Sequence, residues 1–184
     1  MASVVVDEDR FVGVELSNIF LLSFGRACVN LQALTGGELD HLLAGVEGTQ
    51  WARAALFSNV LAQVESRFAH FDPILERIGV EMMKLWYEFG PGRSIVKKAV
   101  DFLHFQTGSG GYASVVRGPS DITGSFSLVS LDEESGTAVV RSTTPFSRAM
   151  ERGVLLGGLQ LSGDALYVDV NNSADPNEFH ISFH

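Results

Sequence analysis

The sequence predicts an α+β fold, in which N-terminal helices pack on a C-terminal four-stranded antiparallel sheet with one inserted helix. Three observations predict it. Apolar residues recur at spacings of three and four up to about residue 107. Short strand-like runs replace them after about residue 120. Turn signals then divide those runs into two hairpins with one more helical stretch between them. The 184 residues have the size of one domain, 1–184, helical over about 14–107 and sheet-forming over about 120–184.

Taken in order, Leu16 to Leu34 reads as helical, and Gly36-Gly37 as a connection. Trp51, Ala54, Phe57, Leu61, Val64 and Phe68 then mark one face of a helix starting near Gln50. Phe71-Asp72-Pro73 interrupts it, with Asp72 as N-cap and Pro73 at the first helical position, where its missing N–H costs nothing. The next stripe is Phe71, Ile74, Ile78, Met82, Leu85 and Phe89, widened by Leu75 and Trp86, and Gly90-Pro91-Gly92 ends it. A third helix is expected from Arg93 to about Gln106, with Val96, Ala99, Val100 and Leu103 inward, followed by a flexible Gly108 to Gly111.

The runs from Ser125 to Leu131 and Thr137 to Ser142 flank a turn at Asp132 to Gly136, a hairpin signal. Ser147 to Leu161 reads as a helix whose Gly153, Gly157 and Gly158 each lower helix propensity by roughly 1 kcal/mol. Such a face is tolerated where another element packs closely, either its own sheet or a second chain in a homodimer. Strands at Ala165 to Val170 and Glu178 to Phe183 close the chain around a turn-rich Asn171 to Asn177.

Composition narrows the function. Hydrophobic residues make up 46% of the chain, with 13 Phe and 2 Trp, so a sizeable core is available and disorder is excluded. A net charge of −9 with only 13 Lys and Arg leaves too little cation to neutralise a phosphate backbone, so no nucleic acid is expected as partner. The acidic clusters Asp7-Glu8-Asp9 and Asp132-Glu133-Glu134 read as a solvated start and a turn. No run approaches the roughly 20 apolar residues of a membrane span; the stretch from Ile19 to Leu22 is broken by Ser23, Gly25 and Arg26. The lone Cys28 and the missing secretory pattern point to the cytoplasm.

Catalytic and metal-site patterns are missing. There is no G-x-S-x-G, phosphate loop, H-E-x-x-H or C-x-x-C. Gly108-Ser109-Gly110-Gly111 follows a helix rather than a strand, which makes it a linker. His180 and His184 stand about 13 Å apart on a strand, too far to share a metal. Glu76 and Glu81 fall off a shared helix face, and Cys28 reads as a small buried hydrophobe. No enzyme is expected. If the helices stand apart from the sheet, an apolar cavity between them would be lined by Phe57, Trp86, Phe102 and His104. It would serve a small apolar molecule; otherwise a partner protein is expected.

Three stretches carry a family likeness. Phe71-Asp72-Pro73-Ile74-Leu75-Glu76-Arg77-Ile78-Gly79 resembles a helix of H-NOX-like small-molecule sensor domains, a group that includes the 4-vinyl reductase domains and a myxobacterial family of unknown function. Arg141-Ser142-Thr143-Thr144-Pro145-Phe146 and Glu151 to Leu159 resemble their strand, proline and glycine-bearing helix. The resemblance implies helices over a four-stranded sheet, a ligand cavity and a sensing role. It also implies, as the alternative reading, a haem-based gas sensor with His104 as axial ligand, since His104 follows Gly92-Arg93 as a helix histidine does in haem-binding members. The Tyr-x-Ser-x-Arg motif that holds haem propionates there is replaced by Val140-Arg141-Ser142-Thr143-Thr144. Tyr112 to Arg117 has those residue types with one extra position, ahead of the strands. The zinc-binding cysteines of some related domains are missing, so no metal site is expected apart from His104 with haem.

Overall fold

The computed structural model describes residues 11–184, which leaves the acidic Asp7-Glu8-Asp9 outside the described residues. The first helix does not begin at Leu16. Glu15–Ser17 forms strand β1, and Ser17 then caps helix α1 (Asn18–Asn30), its hydroxyl accepting from the Phe20 N–H at 3.2 Å. Gly36-Gly37 is not a connection but the first turn of α2 (Gly36–Leu42). Thr35 and Glu38 form a capping box there, with the Glu38 carboxylate accepting from the Thr35 N–H at 2.8 Å. That bond, with the Thr35 hydroxyl and Arg67, holds the Glu38 carboxyl down at about 2.

A 3-10 turn at Val46–Gly48 leads to strand β2 (Trp51–Arg53), where the sequence suggests helix. Trp51 has two partners that periodicity does not encode. Its strand pairs antiparallel with β1, and its ring lies 4.4 Å from the Arg117 guanidinium. Arg117 belongs to β3 (Val116–Arg117), on the other side of β1, and bonds Glu15 at 2.7 Å. The helix proper is α3 (Ala55–Glu65), with Phe57, Val60 and Val64 buried.

Helix α4 (Asp72–Phe89) buries Ile74, Leu75, Ile78, Gly79, Met82 and Leu85 as the stripe predicts, although Phe89 at its end is exposed. Phe71 occupies the cap position, so Asp72 and Pro73 sit one place further into the helix than expected. The expected third helix is two pieces, α5 (Gly92–Ile95) and α6 (Ala99–Thr107). Between them Val96 is extended and fully buried, and Asp101 restarts the helix by accepting from the Lys97 and Lys98 N–H groups, each at 2.8 Å. Short turns α7 (Tyr112–Val115) and α8 (Ser120–Thr123) flank β3.

The larger sheet has the order β4-β5-β7-β6, antiparallel throughout: β4 (Phe126–Asp132), β5 (Thr137–Ser142), β6 (Val168–Asn172) and β7 (Glu178–Phe183). Its inner face carries Ala138, Val140, Val170, Phe179 and Ile181, all buried. In β4 the inward alternation Phe126, Leu128 skips a place to Leu131, and a bulge at Val129 absorbs the extra residue. The Asp132 carboxylate closes the hairpin by accepting from the N–H groups of Glu134 and Ser135, each at 3.0 Å.

Helix α9 (Arg148–Gln160), capped by Ser147, lies between this sheet and α4. Its glycines face neither the sheet nor a second chain. A β-carbon on Gly153 would strike the Glu76 carbonyl of α4, one on Gly157 would come within 2.9 Å of the Val80 α-carbon, and one on Gly158 would enter the Phe102 ring. Gly79 answers from α4, pressed on the Met150 carbonyl. The two backbones therefore meet almost directly. One buried cluster runs from Phe11 to Phe183 and draws on both halves of the chain.

Candidate ligand pocket

A pocket of about 340 Å³ opens among α1, α4, α6, α7 and α9. The sheet reaches it only through Phe126, so the pocket lies between helices rather than between helices and sheet. Its wall combines aromatic rings (Phe20, Trp86, Phe105, Tyr112, Phe126 and Phe146) with Met82, Met83 and Met150. Trp86 and Phe105 stack at 4.8 Å and 27°. The linker glycines Gly110 and Gly111 form part of the wall, and the exposed Ile19 and Ile95 stand at the rim. Two larger hollows, of about 540 Å³ beside α2 and about 560 Å³ along β1, carry charged residues such as Arg26, Asp40 and Arg53 and lack this apolar lining. The smaller one has the character of a small-molecule site, an apolar wall with a few placed polar groups.

Besides Ser23 and Ser114, whose hydroxyl donates to the Gly110 and Gly111 carbonyls, those polar groups are Glu151, Tyr112 and Gln106. Glu151 is only 2% exposed, yet its carboxylate is fully engaged. It accepts from the Ser142 hydroxyl at 2.7 Å, from the Thr144 hydroxyl, and from the Arg148 guanidinium at 2.7 Å. Burial raises its pKa, against the pull of those donors. The Tyr112 hydroxyl donates to the Thr123 carbonyl, and burial together with the Glu151 charge raises its pKa, so it stays a neutral phenol. Gln106, 8% exposed, is different: its amide makes no hydrogen bond to any described residue, and it lines the pocket.

Of the residues expected at the site, only Trp86 lines the pocket. Phe57 lies behind it, packed on Phe24 at 4.5 Å and on the wall residues Phe146 at 5.2 Å and Phe20 at 6.0 Å. Phe102 is fully buried against Gly158. His104 is exposed and outside the pocket, because Phe102, Leu103 and Gln106 take the inner face of α6. Sequence reasoning missed Gln106 and Glu151. Both sit at helical spacing from core residues, Gln106 four after Phe102 and Glu151 four before Leu155, so periodicity could have found them. Tyr112, Phe126 and Phe146 come from separate elements and had no such signal. Cys28 is buried, which pushes its thiol up to about 12, against a backbone hydrogen bond, and keeps it unreactive.

Haem does not fit this donor set. All five histidines are exposed, none lining the pocket. No Lys or Arg lines it to meet a propionate. Of the Tyr112 to Arg117 stretch, Tyr112 and Ser114 reach the wall, but Arg117 is turned away to Glu15 and Trp51. Among the described residues no group of three or more His, Cys, Asp or Glu could hold a metal ion. No described helix is long and apolar enough to cross a membrane.

These features define a class: an α+β domain with a ligand-sized, open-mouthed apolar pocket bounded by helices over an antiparallel sheet. No family model matches the sequence, and no curated protein matches it. Solved structures do. An oxygen-binding H-NOX domain related to soluble guanylate cyclases, in its oxygen complex, has a TM-score of 0.63 at 12% identity, covering 91% of this chain and 95% of that one. The Fe(II) unliganded H-NOX protein from K. algicida has a TM-score of 0.59 at 12% identity, covering 92% and 97%. The Cs H-NOX variant with 4-cyano-L-phenylalanine has a TM-score of 0.63 at 12% identity, covering 91% and 96%. The fold of this protein is H-NOX-like.

Proposed function

We propose that this chain is a one-domain, non-enzymatic ligand sensor whose pocket takes a small apolar molecule. The observation that carries the reading is the aromatic and methionine wall around about 340 Å³. That volume stands at the low end of the roughly 300–1,000 Å³ usual for small-molecule sites. The fold likeness supports a sensing role, with occupancy passed to a partner protein, and the buried thiol of Cys28 suits a reducing cytoplasmic setting. The test is a titration with naphthalene in a Trp51→Phe background, where Trp86 is the remaining tryptophan. Saturable quenching of Trp86 is expected, and Val115→Phe, which fills the wall from α7, should abolish it. A linear, unsaturable response would refute the reading.

The fold likeness also favours a second reading, haem, since solved neighbours are Fe(II) H-NOX proteins. The pocket's donor set speaks against it. Reconstitution with haem should give only the spectrum of free haem, and His104→Ala should change nothing. A Soret band that His104→Ala removes would reverse the preference.

A further inference from the structure

We propose that the pocket selects a neutral, flat, bicyclic-sized molecule whose edge carries both a hydrogen-bond donor and an acceptor, read by the amide of Gln106. The inference rests on the ligand-pocket reading above and names the chemistry of its ligand. Gln106 is more than nine-tenths buried, and its amide is left without a partner among the described residues. No buried side-chain nitrogen or oxygen among the described residues lacks a partner, so the Gln106 amide is open to the space of the pocket, where water meets it until a ligand replaces that water. Its neighbours on α6 do not meet it: Thr107 donates to the Leu103 carbonyl, and Asp101 is committed to Lys97 and Lys98. The amide offers one acceptor and two donors, which a cyclic amide or a similar donor–acceptor edge matches.

Charge selection follows from a second polar wall group. The Glu151 carboxyl oxygens are already taken, accepting from Ser142, Thr144 and Arg148. An anionic ligand would be desolvated beside it with no Lys or Arg in the wall to meet it. A cationic ligand would find a carboxylate already paired with Arg148. Neutral molecules escape both costs. The aromatic wall, including the Trp86–Phe105 stack, favours a ring system that offers faces and edges to it.

The experiment uses three probes of one size: 2-quinolinone, a neutral bicyclic lactam; naphthalene, with no polar edge; and 2-naphthoate, an anion. Each is titrated against Trp86 fluorescence in the Trp51→Phe protein and in the same protein carrying Gln106→Leu or Gln106→Met. Loss of two hydrogen bonds should weaken 2-quinolinone about tenfold in both variants, while naphthalene, which makes no hydrogen bond to the amide, binds at least as well, which also shows that the pocket remains folded. The anion should bind weakest. If Gln106→Leu and Gln106→Met weaken both neutral probes equally, or neither, or if 2-naphthoate binds as well as naphthalene, this inference is overturned and the ligand pocket stands. If neither neutral probe binds the Trp51→Phe protein, the pocket reading fails and this inference with it.

Discussion

At the scale of single residues, the pocket is defined by where polarity is spent. Glu151 occupies a position on α9 that spacing assigns to the core, flanked by Met150 and, one turn on, Leu155. Three donors make its burial tolerable. Because burial raises its pKa above the ordinary 4.5, its contribution to stability is complete below that value and is lost as pH rises through the raised one. The stability of wild type relative to Glu151→Gln should therefore fall as pH climbs from 4.5 through that window, then level off. Urea midpoints across a pH series measure it, and a difference independent of pH would contradict the burial argument. Glu38 has the opposite sign. Its lowered pKa gives a contribution present above the ordinary 4.5 and lost as pH falls toward about 2, so Glu38→Gln should flatten the acid limb.

At the scale of elements, the α4–α9 contact positions the pocket. Glycines on both helices bring the backbones together, which brings Met82 and Met83 of α4 and Met150 and Val154 of α9 into one pocket wall. Gly153→Ala gains about 1 kcal/mol in helix propensity. It should still destabilise the protein by about 2 kcal/mol, because the atom it strikes is a backbone carbonyl that cannot rotate away. Denaturant unfolding checks the sign; a more stable variant would mean that α4 moves freely against α9. Glu76 and Arg152 pair across the same seam, and Arg152 also bonds the Val170 carbonyl, so α9 is tied to α4 on one side and to β6 on the other.

For the whole molecule, a ligand that binds only the folded state adds stability by mass action. Naphthalene at 100 times its dissociation constant should add about 2.7 kcal/mol, and Val115→Phe should lose that gain. Thermal unfolding with and without the probe reads it; an unchanged midpoint at saturation would oppose the assignment of the pocket.

The fold class was legible because it depends on local patterns. The stripe from Ile74 to Leu85 encodes α4 whatever surrounds it, and alternation around the Asp132 to Gly136 turn encodes the β4–β5 hairpin. The small sheet was not legible: β1, β2 and β3 are three residues or fewer, too short for a period, and they exist because Glu15, Trp51 and Arg117 meet across large separations in sequence. The break between α5 and α6 escaped for a related reason, since Val96 is extended to fill the core and its apolar character suits either conformation.

By itself, then, the sequence determined an α+β chain, its principal helices, the hairpin of the larger sheet, and a likeness to H-NOX-like sensors. Only the tertiary structure decided that the pocket lies among helices, that His104 faces away from it, and that Gln106 and Glu151 face in. The physical reason is that periodicity states which face of an element is buried, while a pocket is the space left where several buried faces fail to meet, and that depends on how closely the α4 and α9 backbones approach.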